Sequence, residues 1–210
     1  MNLDQGIAYF GLTEWWDATF DADAQRVIRE TYKPFIVSFV RESPTFEAAV
    51  SGADLVDGAE TLSTTQSAMS FLGGLATWFD RPGQRDLARQ IFAKALEVDG
   101  DVLDLHFLYQ HMIRAHYRER DTRDGALMEA VTACESQIAL APSSAEAFRS
   151  EYLDQPLPAH VGYQQLCIIL EKQGRFSEAS DLVRRARDQG WGGDWDRRLE
   201  RLAKKVLERK

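Results

Sequence analysis

Four histidines, two cysteines and a run of aspartates are the residues of this sequence best suited to chemistry. His106, His111 and His116 recur every five residues. On a helix that step turns the side chain by about 140°, so the three rings scatter around the cylinder. A helical zinc site needs histidines three or four residues apart, as in HExxH, and that motif does not occur. Together with His160 these residues read as satisfied or solvent-facing histidines on packing helices, and no metal site is expected. Cys134 and Cys167 stand on apolar stripes, where a thiol behaves as a small hydrophobe, neither nucleophile nor disulfide partner. Asp99, Asp101 and Asp104 have loose calcium-ligand spacing without the downstream glycine and glutamate of a calcium loop. They suit a helix N-terminus, where free N–H groups favour negative charge. No GxGxxG, GxxxxGK[ST] or GxSxG occurs. No catalytic residue and no cofactor is therefore expected.

Tyr9, Phe10, Trp15 and Trp16 crowd the front of the chain in YFGLTEWWDATF. They could wall a ligand pocket, but large aromatics at this density suit packing of N-terminal helices onto the helices beyond them.

The elements that would hold these residues are helical. The chain has 210 residues, 44% hydrophobic and 28% charged, enough for a substantial core. Its net charge of −8 opposes approach to phosphate backbones and anionic lipid. Charge is uneven: Glu171 to Lys210 holds 12 Lys/Arg against 8 Asp/Glu, a basic end on an acidic body. MNLDQGIAYF lacks the basic and long apolar regions of a leader, and FIVSFV is too short to span a bilayer. A cytoplasmic protein without a membrane partner is expected.

Apolar residues at steps of three and four run from Thr61 to the end. Ser63 with Gln66 reads as a capping box for the stripe Ala68, Phe71, Leu72, Leu75 and Phe79, stopped by Pro82-Gly83. Further stripes run from Leu87 to Leu96, from Leu105 to Tyr117, and from Leu127 to Ile138. Pro142 is expected to end the last of these, with Ser143-Ser144 capping a short helix to Tyr152. Two more stripes flank Lys172-Gln173-Gly174, and Trp195, Leu199, Leu202 and Val206 form the final one. At the front, Thr13 and either Asp21 or Asp23 are expected caps, and Pro34 a stop. Residues 35–60 read as loop with short helical pieces, FIVSFV being the candidate extended segment. The fold class is all-α.

Ala179 and Ala186, seven residues apart, fall on one helix face and admit the bulk of Tyr163, Leu166 and Leu170. With Cys167, Val183, KQG and Phe176 they resemble the tetratricopeptide repeat (TPR), a helix–turn–helix unit of about 34 residues. Trp191 stands where that family has proline, and Val183 where it has an aromatic. A second copy holds Leu72, Leu75, Ala76, Phe79, Ala88, Phe92 and Ala95. A third holds Tyr109, Met112, Ala130 and Cys134, with Ile113 and Gln137 departing from the pattern. The front half, with YFGLTEWW, resembles bacterial TPR-like proteins of uncharacterised type. The resemblance implies a right-handed array of helix hairpins with insertions: repeats at 69–101, 102–142 and 160–191, a capping helix at 194–210, and an aromatic-rich region at 1–60.

It also implies a concave groove lined by the first helix of each hairpin, taking an extended peptide. The matching positions are Thr77, Asp80 and Arg81; Gln110, Arg114, Tyr117 and Arg118; and Gln164, Ile168, Glu171 and Lys172. The family's carboxylate clamp wants Lys and Asn where Gln164 and Ile168 stand. The expected function is a non-catalytic protein or peptide interaction module. Two rivals remain: an enzyme or small-ligand site between the aromatic front and the array, and an RNA regulator using the basic end. In that helix Arg198, Arg201 and Lys205 would meet water.

Overall fold

The computed structural model describes residues 3–33, 39–42, 61–64 and 66–207. The chain is helical and forms two compact units, Met1–Asp99 and Gly100–Lys210. The division puts the helices of the first expected repeat in one unit with the aromatic front.

In the first unit, α1 (Leu3–Tyr9), α2 (Thr13–Thr19) and α3 (Ala22–Thr31) follow closely. Asp21 caps α3, its carboxylate accepting from the Ala24 amide at 2.8 Å. Thr13 is the first residue of α2 and not its cap; Leu12 holds that place without a side-chain bond. Strands β1 (Phe39–Glu42) and β2 (Thr61–Thr64) form a short antiparallel ladder with Phe39 opposite Thr64. Phe39 and Val40 of FIVSFV are thus extended, while Pro34 and the rest of 35–60 apart from β1 lie outside the described residues. Ser63 is in β2, so the expected capping box does not form. Ser67 caps α4 (Ala68–Ala76) instead, accepting from the Ser70 amide at 2.9 Å. It sits one residue before the apolar run, where the first free N–H groups need an acceptor. A 3-10 turn, Thr77–Phe79, then Pro82 and Gly83 (φ +83°), leads into α5 (Arg85–Ala95). Phe10 lies 5.1 Å from Phe71 between ring centres, and Tyr32 lies 5.5 Å from Trp78. The aromatic front therefore packs on α4 and the turn after it.

In the second unit, α6 (Val102–Glu119), α7 (Ala126–Glu151), α8 (Val161–Lys172), α9 (Phe176–Asp188) and α10 (Trp195–Leu207) each pack on the next. Helix α6 also meets α8. Asp101 and Asp104 form a reciprocal capping box at the start of α6, which accounts for two of the three aspartates of the acidic run. Pro142 does not end α7, which continues through it to Glu151. An interior proline removes a backbone bond, at about 3 kcal/mol or more. The buried stripe Ile138, Ala141, Ala145 and Phe148 runs across it without a break, and that burial outweighs the loss.

Ala179, Val183 and Ala186 are buried in one cluster with Tyr163, Leu166, Cys167 and Leu170 of α8. The helices come close enough for the Cys167 thiol to donate to the Ala179 carbonyl, Sγ to O 3.7 Å. Gly174, at φ +72°, makes the turn between them without a Cβ penalty. On α10, Trp195 and Leu202 face the core.

Candidate functional site

The second unit carries a groove of 740 Å³ between the start of α7, the later half of α8, and α9. Its apolar part is built from Leu127, Met128, Val131, Leu166, Leu170 and Leu182. Leu166 and Leu170 belong to the core, whereas Met128 is 69% exposed at the open side. Two turns supply the charged rim. In the α6–α7 turn, Arg123 donates to Glu119 at 3.0 Å and to Glu129 at 2.9 Å, which raises its pKa further. His116 Nδ1 also lies 3.0 Å from Glu129. In the α8–α9 turn, Arg175 donates to Glu178 at 2.7 Å, and that bond holds the Glu178 carboxyl below its usual range. Gly125, at φ +79°, lets the chain turn sharply into α7. The lining has no hydroxyl, thiol or imidazole side chain. Its chemistry is that of burying an apolar surface between charged rims.

None of the eleven expected groove residues lines this groove. Thr77, Asp80 and Arg81 belong to the first unit, where Thr77 donates to the Gly74 carbonyl and Asp80 pairs with Arg85 at 3.2 Å. In the second unit α8 contributes Leu166, Ile169, Leu170 and Gln173 to the groove. Gln164, Ile168, Glu171 and Lys172 lie on the other side of that helix, as the 100° step requires. There the structure does bring two expected residues together: Lys172 donates to the Tyr117 hydroxyl at 3.0 Å. Arg114 and Arg118 are exposed, and Gln110 is half-buried. The α10 cations, expected to meet water, converge on Glu171 instead. Arg201 approaches it to 3.1 Å, Arg198 to 3.6 Å and Lys205 to 3.8 Å, and the Glu171 side chain is only 12% exposed. Arg198 also donates to the Gln164 carbonyl.

No family model, curated protein or solved structure matches this chain.

The remaining chemistry-bearing residues sit in the interior. Cys134 and Cys167 are buried free thiols, and burial pushes them up to about 12 and about 11, so neither ionises near neutral pH. His106 and His160, 54 residues apart in sequence, meet with ring centres 5.1 Å apart. A periodicity test within one helix has no means of finding that pair. Among the described residues no group of three or more His, Cys, Asp or Glu could hold a metal ion, and no helix is long and apolar enough to cross a membrane.

Proposed function

We propose that this chain is a non-catalytic, TPR-like interaction module that binds a partner peptide in the groove between α7, α8 and α9. The observation that carries the reading is the groove itself: an apolar floor continuous with the core, an exposed methionine at its edge, and two paired-charge rims. Methionine adapts its shape to irregular apolar partners, and an apolar patch rimmed by charged residues suits a protein contact. The α8–α9 hairpin, with small residues of one helix against large residues of the other, supports the repeat reading. Two buried unpaired cysteines suit a reducing, cytoplasmic setting. The engagement of Arg198, Arg201 and Lys205 with Glu171 weakens the case for α10 as an RNA-binding element. A second surface, around Arg114, Tyr117 and Lys172 on α6 and α8, is favoured by the cations held there on an acidic body.

Affinity capture with mass spectrometry decides between them. Wild type is compared with Leu127→Glu/Met128→Glu and with Arg114→Glu/Arg118→Glu. Loss of specific partners in the first variant alone supports the groove. Loss in the second alone moves the working surface to the opposite side of α8. Unchanged partners in both overturn the module reading.

A further inference from the structure

His106 of α6 and His160, immediately before α8, share a closed aromatic box. Their side chains belong to residues that are 1% and 0% exposed. Trp191 stacks on His106 at 5.6 Å and meets His160 edge-on at 4.6 Å; Phe148 and Tyr163 complete the walls at 5.4 and 4.7 Å. The box closes where segment 156–160 meets the α9–α10 connection, with the Gly192 amide donating to the Pro158 carbonyl at 3.0 Å.

Each ring has one job or none in polar terms. His160 is the N-cap of α8, its Nδ1 accepting from the Tyr163 amide at 3.3 Å. An accepting Nδ1 puts the proton of the neutral ring on Nε2, and that atom is buried without a partner. His106 Nδ1 is likewise buried without a partner. A proton added to His160 Nδ1 turns the cap acceptor into a donor aimed at another donor. It also places a cation at a helix N-terminus, where the backbone dipoles repel it.

The surrounding charges give no relief. Ionisable groups near the box are Asp104 on α6, bonded to the Asp101 amide; Cys134 and Arg149 on α7; Tyr163 on α8; and Arg185 on α9. The two arginines are cations themselves. Segments 156–159 and 189–193 carry no ionisable side chain. Burial lowers His106 to about 4; burial together with the His106 charge lowers His160 to about 3, outweighing the smaller upward pull of the Gln137 and His160 backbone.

We propose that His106 and His160 form an acid-sensitive joint: neutral, they lock α6, α8 and the Trp191 segment together, and their protonation uncaps α8 and opens the second unit. The sign follows from linkage. The unfolded rings take protons below about pH 6.5, the folded rings resist, and the stability they carry is present above that pH and lost on acidification. These two groups change the opening equilibrium by up to about 100-fold per pH unit below 6.5.

Both cysteines are buried in this unit and report its opening. Labelling by a dipyridyl disulfide, which reacts with thiols in acid, is followed on the full chain at pH 7.5, 6.5, 5.5 and 4.5. The pair is expected to give wild type a rise in opening of up to about 100-fold per unit below 6.5. His106→Phe/His160→Asn, which keeps ring shape at one site and a capping side chain at the other, is expected to lose that contribution. If the double variant is unfolded at pH 7.5, His160→Asn alone is expected to lower the slope by up to about tenfold per unit. His111, which burial and Arg114 also hold low, adds its own slope and is kept in every variant. His116→Gln is expected to retain the wild-type slope. The proposal is overturned if wild type shows no rise, if the box variants keep the wild-type slope, or if the His116 control removes it.

Discussion

Both units mix large and small buried side chains, but the balance between them differs with helix length. Among the described residues the first has short helices, none longer than the eleven residues of α5, and is filled by bulk: Trp16, Phe20, Phe71, Leu72 and Phe79 are all buried. The second has helices of 18 and 26 residues in α6 and α7, and meets them with small residues: Ala130, Ala133, Cys134, Ala141, Gly162, Ala179 and Ala186. Gly162 shows how close the approach is. A Cβ there would stand 2.9 Å from Gln137 Oε1 and 3.0 Å from the Cys134 carbonyl. Short helices touch over one or two turns and need large side chains to fill the corners between them. Long helices lie along one another, and any large side chain at the crossing forces them apart.

That contrast is open to attack from both sides. Phe79→Ala should be the most damaging change, lowering stability by about 3–5 kcal/mol through loss of a fully buried ring in the first unit. Urea unfolding that finds a loss below about 1 kcal/mol would show that the aromatic filling is not what holds this unit. Ala179→Leu and Ala186→Leu should each cost the second unit about 1–3 kcal/mol by overpacking. Unchanged melting of both would remove the small-residue argument. Glu171→Gln should cost about 1 kcal/mol, because it leaves three α10 cations facing a neutral amide at a partly exposed site. The loss should shrink at high salt, and a salt-independent cost would point to packing instead of charge. Arg114→Glu/Arg118→Glu should change the melt least, by less than about 0.5 kcal/mol, since both residues are exposed. A larger loss would mean that this face of α6 is structural.

How much the sequence revealed depends on the range of the interaction. Local signals were legible: a cap at Asp21 or Asp23, of which Asp21 serves, the acidic start of α6, the turns at Pro82-Gly83 and Gly174, and the α8–α9 pairing through Ala179 and Ala186. Each depends on neighbours close along the chain. Where a local rule competed with burial, the rule failed. Pro142 reads as a stop, yet Ala141, Ala145 and Phe148 continue the stripe of Ile138 and hold the helix together. Ser63 has a plausible capping partner, yet β2 takes it and Ser67 does its work. The groove was missed for another reason. Repeat-by-repeat matching assigns the binding face to one side of α8, while the concavity depends on how far α7 and α9 stand apart on the other side. The histidine box needs residues from α6, α8 and the Trp191 segment to converge, and no single stretch records that.

Gln137 ties the closing of the second unit to a single side chain. Its amide donates to the His106 carbonyl at 2.8 Å and accepts from the Gly162 amide at 2.6 Å, bridging 31 residues one way and 25 the other. The first bond needs α6 docked on α7 and the second needs α8 docked on α7, so the amide is fully paired only after the chain has closed both long loops. A contact made that late acts as a brake on escape and not as an aid to arrival. Removing it should speed unfolding while leaving the refolding rate nearly untouched.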